Sequence, residues 1–229
     1  MKCVVISDTH GMYRDIEIPD GDVLIHAGDI LGRGKLSELS EFNDWLGALP
    51  HRHKIVIAGN HDWCFESNEK ESRVVLTNAV YLKDELVEID GLKFYGSPWQ
   101  PFFFNWAFNL NRGAALKDKW DLIPDGVDVL ITHGPAFGIL DQTMDGSNVG
   151  CEELTKAIKR ITPKYHLCGH IHEGYGVIEL AGCTHINASV TTERYIPSNK
   201  PIVFTLHPNH SHTPRQQYSD NHIVTYDKE

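Results

Sequence analysis

Five times in this sequence a short apolar run breaks off and a metal-binding or acid/base residue follows within two positions. Cys3-Val4-Val5-Ile6-Ser7 runs into Asp8-Thr9-His10, Val23-Leu24-Ile25-His26-Ala27 into Gly28-Asp29, and Ile55-Val56-Ile57-Ala58 into Gly59-Asn60-His61-Asp62. Val129-Leu130-Ile131-Thr132 leads to His133-Gly134, and Tyr165-His166-Leu167-Cys168 to Gly169-His170-Ile171-His172. Short β-branched runs bounded by Gly, Asp and Asn read as buried strands. A single such ending carries little weight. Five of them furnish one edge of a sheet with Asp, Asn and His, which is where open α/β sheets bind their ligands.

Between the runs the pattern changes period. Leu36, Leu39, Phe42, Leu46 and Leu49 recur three and four apart between Lys35 and Leu49, and Pro50 stops them, which predicts an amphipathic helix. A second helix is expected over Glu152 to Ile161, ending before Pro163. Asp90-Gly91 between two apolar arms predicts a hairpin from Leu86 to Tyr95. Later strands are expected at Gly176 to Leu180, Thr184 to Asn187 and Ile202 to Leu206. Strands alternating with helices indicate an α/β layer protein. No Pro-, Gly- or Ser-rich linker divides the chain, so we expect one domain over 1–206 and a polar tail over 207–229, with His207, His210 and His212 solvated in that tail.

Charge narrows the ligands. With 31 acidic against 21 basic residues the chain carries a formal charge of −10, which offers no general footprint for duplex nucleic acid and leaves small phosphorylated compounds open. The five cysteines include no Cys-x-x-Cys pair, so neither a disulfide framework nor a structural zinc cage is indicated. No stretch approaches the ~20 apolar residues that span a bilayer. The expected location is the cytoplasm.

The strand-end residues suit a particular chemistry. Asp8 and His10 are two apart and share a side if the strand continues. Asp29 brings a carboxylate whose two oxygens can bridge two cations. The Asn60 carbonyl suits hard or borderline divalent ions better than it suits a zinc cage. His133, His170 and His172 add imidazoles. The seven together are too many for one catalytic ion and fit two that share a carboxylate. His61 and Asp62 are left beside the ligands, and a histidine so placed is a natural proton donor.

The ordered set Asp8-x-His10, Gly28-Asp29, Gly59-Asn60-His61-Asp62, His133, Gly169-His170-x-His172 resembles the calcineurin-like metallophosphoesterase superfamily. Gly96-Ser97-Pro98-Trp99-Gln100-Pro101, Trp106-Ala107-Phe108-Asn109-Leu110 and Ile186-Asn187-Ala188-Ser189 with Lys200-Pro201-Ile202-Val203 resemble its class III phosphodiesterase-like branch of brain-type metallophosphoesterase-domain proteins. The resemblance implies two packed mixed β-sheets flanked by helices, a four-layer sandwich. It also implies that Asp8, His10, Asp29 and His172 hold one divalent ion and that Asp29, Asn60, His133 and His170 hold the other. Manganese is the first expectation, with iron, magnesium, zinc or a mixed pair as alternatives. A metal-bridging hydroxide would attack phosphorus in line while His61 protonates the leaving alkoxide.

Two details bear on substrate. Gly32 stands where protein Ser/Thr phosphatases carry a second Asp that orients the catalytic histidine, so a phosphoprotein substrate is disfavoured and Asp62 or a backbone group is expected to orient His61. Gly169-His170-Ile171-His172 is intact, whereas some members of the closer branch carry Gly for one His, which favours full metal occupancy. The expected function is hydrolysis of small phosphodiesters, cyclic nucleotides among the candidates, with Asn60, His61, Arg33 and Arg112 contacting the phosphate. A phosphomonoesterase or nucleotide pyrophosphatase on the same metals is the alternative, and a non-catalytic metal- or nucleotide-binding scaffold is the alternative of another class. A homo-oligomer is left open. Of the remaining histidines, His26 and His166 are expected in the core, His51 and His53 in solvent, and His185 near the site. The aromatic cluster from Trp99 to Phe108 reads as core or subunit contact ahead of a base clamp.

Overall fold

The computed structural model describes residues 1–207. His210, His212 and the rest of the expected tail lie outside the described residues, and His207 is exposed. In chain order the strands are β1 (Lys2–Ile6), β2 (Val23–Ala27), β3 (His53–Ile57), β4 (Val80–Tyr81), β5 (Glu85–Ile89), β6 (Leu92–Ser97), β7 (Gln100–Pro101), β8 (Asn109–Leu110), β9 (Val129–Thr132), β10 (Tyr165–Cys168), β11 (Gly176–Leu180), β12 (Cys183–Asn187) and β13 (Ile202–Thr205). The α-helices are α1 (Leu36–Ala48), α2 (Trp63–Ser67), α3 (Glu69–Val75), α4 (Ala114–Trp120) and α5 (Glu152–Ile161).

Two large mixed sheets result. One runs β13-β1-β2-β3-β4 with β1 to β4 parallel and β13 antiparallel at the edge; the other runs β11-β12-β10-β9-β6-β5 with four parallel central strands and an antiparallel strand at each edge. A short β7-β8 pair stands apart. The period-two alternation of the strands decides the layering. Cys3, Val5, Ile25, Ile55 and Ile57 of the first sheet meet Phe94, Val129, Ile131, Leu167 and Ile186 of the second in one buried cluster. The intervening residues Val4, Ile6, Leu24 and Val56 pack on Leu39, Phe42 and Leu46 of α1. Tyr95 and Leu130 of the second sheet likewise meet Leu116 and Trp120 of α4 and Leu154, Ile158 and Ile161 of α5. The order of layers is therefore helix, sheet, sheet, helix.

Local signals explain several boundaries. Glu38 reaches back to accept from the backbone N–H groups of Lys35 and Arg33, at 2.9 and 3.1 Å, and so starts α1. α5 opens on Glu152 and Glu153, closes on Lys159 and Arg160, and leaves through left-handed Thr162, in keeping with the helix dipole. Asp90 and Gly91 both take positive φ, 50° and 77°, as a two-residue hairpin turn requires. Among the described residues no helix is long and apolar enough to cross a membrane.

His51 and His53 depart from expectation. His51 is buried, with Nε2 3.0 Å from the Pro19 carbonyl, and His53 is half-buried at the start of β3. The loop before β2 folds over the turn that carries them, a contact 32 residues distant in sequence that local polarity does not reveal.

Candidate metal centre

The C-terminal ends of β1, β2, β3, β9 and β10 meet along one rim, tied across the two sheets by Ser7 N–H to the Ala188 carbonyl (2.8 Å) and within them by Asp8 N–H to Gly28 and Gly169 N–H to His133 (each 2.9 Å). The backbone there is unusual. Asp8, His10, Asp29 and His170 all take positive φ, at 56°, 46°, 53° and 67°. Each such turn disfavours an L-residue and persists only where its surroundings impose it. The glycines beside these residues leave room for them. A Cβ on Gly169 would stand 2.1 Å from an Asp8 oxygen, one on Gly59 2.3 Å from an Asp29 oxygen, and one on Gly28 2.5 Å from Nδ1 of His133.

The side chains gather into two groups joined by Asp29. Ligand atoms of Asp8, His10 and His172 lie within 4.8 Å of one another, as do those of His10, Asp29 and His61, and those of Asp29, His133 and His170. Asp29 Oδ1 is 3.4 Å from His133 Nε2, while Oδ2 is 3.9 Å from His10 Nε2. His172 Nε2 is 3.5 Å from Asp8 Oδ1 and 3.3 Å from His10 Nε2. Asn60 joins the second group through Oδ1, 2.9 Å from His133 Nε2. All seven residues singled out as ligands thus stand together.

Outer contacts fix their orientation. His133 Nδ1 donates to the Ala27 carbonyl (3.0 Å) and His172 Nδ1 to the Thr192 carbonyl (2.8 Å), so each ring turns Nε2 toward the carboxylates. Asp8 accepts from the His170 backbone N–H at 2.9 Å and from Ser189 Oγ at 2.8 Å. Burial favours the uncharged form of every group here, yet the charges are retained in pairs. Burial works against ionised Asp8, but the hydrogen bond and charge of His172 hold its carboxyl well below the usual range. Burial likewise opposes a charge on His133 and on His172, while Asp29 and Asp8 respectively raise them to about 9. Burial pushes His10 down to about 4 in spite of Asp29 and Asp8, and burial with the neighbouring His133 pushes His170 down to about 3. Two buried carboxylates and four imidazoles converging with an amide carbonyl form a mixed O/N donor set suited to divalent cations.

His61 stands at the edge of this cluster with Nε2 4.0 Å from Asp29 Oδ2 and Nδ1 3.4 Å from the Gly32 carbonyl. Its backbone N–H donates to Asp29 Oδ1 (2.8 Å), and Trp106 stacks on its ring at 4.3 Å and 21°. The polar partner of the ring at Nδ1 is therefore a backbone carbonyl, that of Gly32, and not the Asp62 carboxylate. Asp62 has another task. Its buried carboxylate accepts from the N–H groups of Gly59, Ile30 and Leu31, at 2.8, 3.1 and 2.9 Å, and so fastens the β2 and β3 ends together.

The two arginines part company. Arg33 is exposed in the loop after Asp29, next to Gly32. Arg112 is occupied elsewhere, donating to the carbonyls of Gly150 and Val149 (2.7 and 2.6 Å) and to Glu152 (2.6 Å), so its guanidinium clamps the start of α5 and is withdrawn as a phosphate ligand. His185 is also withdrawn from the site: it is buried, 3.1 Å from His166 between ring nitrogens.

The sequence reading assigns no role to Ser189, Thr192 or Tyr195 and places Trp106 in core or subunit contact. Ser189 lies in a segment singled out only by resemblance, and its hydroxyl bonds Asp8 across 181 residues. Tyr195 brings its ring to 4.7 Å from that of His10 and 5.4 Å from that of His172. The aromatic run divides: Phe108 is buried in the core beside Trp99, Trp106 meets His61, and Phe102, Phe103 and Phe104 are exposed.

The chain is similar to known proteins. A family model described as calcineurin-like phosphoesterase matches residues 1–174. Human metallophosphoesterase domain-containing protein 1 is 47% identical over 230 residues, covering 90% of this chain and 71% of that protein, and its mouse counterpart gives the same figures. A UPF0046 protein of Caenorhabditis elegans is 41% identical over 252 residues, covering 96% of this chain and 63% of its own length. The crystal structure of TT1561 of Thermus thermophilus superposes with a TM-score of 0.59 at 15% identity, covering 82% of this chain and 88% of that one, and shares the fold. This chain belongs to the calcineurin-like phosphoesterase family.

Proposed function

We propose that this protein hydrolyses small phosphodiesters, with nucleotides among the candidate substrates, at a two-ion centre with His61 as general acid. The observation that carries the reading is the division of Asp29, whose Oδ1 faces His133 and whose Oδ2 faces His10. A carboxylate so placed belongs to both donor groups at once. Asp8, His10, Asp29 and His172 would hold one divalent ion, and Asp29, Asn60, His133 and His170 a second. Such ions supply Lewis acidity, offsetting phosphoryl charge and making hydroxide available near neutral pH.

The chain's own residues do the rest. His61 can keep Nδ1–H toward the Gly32 carbonyl while Nε2, which faces the centre, delivers a proton to the departing oxygen. Trp106 against one face limits rotation of that ring. Arg33, exposed one residue beyond Gly32, is available for a phosphate oxygen, whereas Arg112 is held at α5. The alternative, a monoesterase or pyrophosphatase, uses the same centre and differs only in leaving group.

The test is hydrolysis of bis-p-nitrophenyl phosphate by the full chain supplemented with Mn or Mg. Turnover should drop to background in Asp29→Ala with the melting transition retained. Unchanged turnover would refute the reading, and a strong preference for p-nitrophenyl phosphate would replace the diesterase by the monoesterase.

A further inference from the structure

A short segment joins the two sheets at the rim. β12 ends at Asn187 in the second sheet, and the chain then lays Ser189 beside Ser7 at the end of β1 in the first, where Val190 N–H donates to the Ser7 carbonyl (3.0 Å). Asn187 and Ser189 are fully buried. Both ends of the Asn187 amide are engaged. Nδ2 donates to the carbonyls of Ile171 (2.7 Å) and Leu140 (3.2 Å). Oδ1 accepts from Ser189 N–H (3.1 Å) and stands 2.8 Å from Ser189 Oγ, which is itself 2.8 Å from Asp8 Oδ2. An amide has two N–H donors and an oxygen with two lone pairs, so these contacts use its full capacity and fix its orientation. Space there is closed as well, because a Cβ on Gly174 would stand 2.1 Å from the Leu140 oxygen and 2.9 Å from Asn187 Nδ2.

The contacts close a ring around three proposed metal ligands. Asn187 holds the Ile171 carbonyl between His170 and His172, the His170 N–H donates to Asp8, and Ser189 links Asp8 back to Asn187. The same segment reaches the ligands twice more. Thr191 Oγ1 donates to the Asp8 carbonyl (2.9 Å), and the Thr192 carbonyl accepts from His172 Nδ1 (2.8 Å). The second donor group is fixed from elsewhere. His133 is held by the Ala27 carbonyl (3.0 Å), Asp29 accepts from His61 N–H (2.8 Å), and the Asn60 carbonyl accepts from Ala107 N–H (3.2 Å). Of that group His170 alone enters the ring, through its backbone.

We propose that Asn187 is a positioning residue that sets the affinity of the ion held by Asp8, His10, Asp29 and His172 and leaves the second ion nearly unaffected. This rests on the two-ion reading above and assigns the control of one of its sites. Without the Asn187 donors the Ile171 carbonyl is buried unpaired, and the turn bearing His172 shifts to find it a partner. Without the Asn187 oxygen the Ser189 hydroxyl loses the contact that keeps it beside Asp8.

Manganese titration of the metal-free full chain tests this, read by calorimetry and by electron paramagnetic resonance. Two Mn ions that share a carboxylate are spin-coupled, whereas one alone gives the spectrum of an isolated ion. Asn187→Ala removes both ends of the amide; Asn187→Asp keeps its size and the oxygen beside Ser189 and loses the donors. In each, one binding step should weaken about 10- to 100-fold while the other stays within about threefold, so that the isolated-ion spectrum persists where the unaltered protein is coupled. Adding Ser189→Ala to Asn187→Ala should weaken that step little further, since both cut one ring. The melting temperature of the metal-free protein checks folding. Both steps weakened alike, neither weakened, or full additivity in the double variant would overturn the role of Asn187 and leave the two-ion reading standing. Failure of both Asn187 variants to fold, with Ser189→Ala folded and both its steps unaltered, would make Asn187 a residue of the fold alone. Fewer than two equivalents in the unaltered protein would overturn the two-ion reading, and this inference with it.

Discussion

His133, directly after β9, and His166, on the neighbouring β10, are both fully buried, and burial pushes both toward the neutral form. They end at opposite extremes. Burial works against a charge on His133, but Asp29 facing Nε2 raises it to about 9, whereas at His166 burial and then the neighbouring His185 both act downward and hold it well below the usual range. The contacts around His166 form a neutral chain. The Thr132 hydroxyl donates to the Gly134 carbonyl (2.7 Å), so it accepts from His166 Nε2 (2.9 Å), and His166 Nδ1 accepts from His185 Nδ1 (3.1 Å). His26 repeats the pattern, donating to Thr9 Oγ1 (3.0 Å), which itself donates to the Ile30 carbonyl. Burial alone does not make a functional histidine. At His133 and His172 a facing carboxylate reverses the push of burial.

The largest expected effect is on the rim. His61→Gln should lower kcat roughly 10²- to 10⁴-fold, more for a poor leaving group than for p-nitrophenolate, while the count of bound metal ions stays the same. Loss of a metal ion in that variant would make His61 a ligand. A smaller effect is expected one contact further out. Ser189→Ala removes the hydroxyl that fixes Asp8 and should weaken metal affinity about 10- to 100-fold without unfolding the protein; unaltered affinity by calorimetry would show that the Asp8 carboxylate is positioned by His170 N–H alone.

The smallest effect concerns the core histidines. His166 and His185 have folded values below the ordinary 6.5, His185 at about 4. Between 6.5 and about 4 the unfolded chain therefore binds protons that the folded chain does not, and stability falls as pH falls. Each such group contributes a slope of about 1.4 kcal/mol per pH unit. Denaturant melts of His166→Gln across pH 6.5 to 4.5 should show a shallower slope than the unaltered protein by about that amount. Parallel slopes would mean that His166 is protonated in the fold.

Much of this contrast can be read in the sequence, and the reasons are local. Gly28, Gly59 and Gly169 punctuate the strands because the ligands pack where a Cβ would stand, so apolar run, glycine and ligand appear together in the chain. α1, α5 and the β5-β6 hairpin carry their own period and turn residues. α2, α3 and α4 are five to seven residues long, too short for a helical period to emerge. What depends on distant partners was also hidden: the burial of His51 under the Pro19 loop, the Arg112 clamp, the Gly32 carbonyl facing His61, and the split of the aromatic run between core and rim.

In the proposed centre one carboxylate, Asp29, serves two cation sites. Metal titration of the full chain tests it, with stoichiometry read by calorimetry and elemental analysis for the unaltered protein and for Asp29→Ala. Two equivalents of Mn in the unaltered protein, falling to one or none in the variant, are predicted. A single equivalent in the unaltered protein, or two equivalents retained by Asp29→Ala, would contradict it.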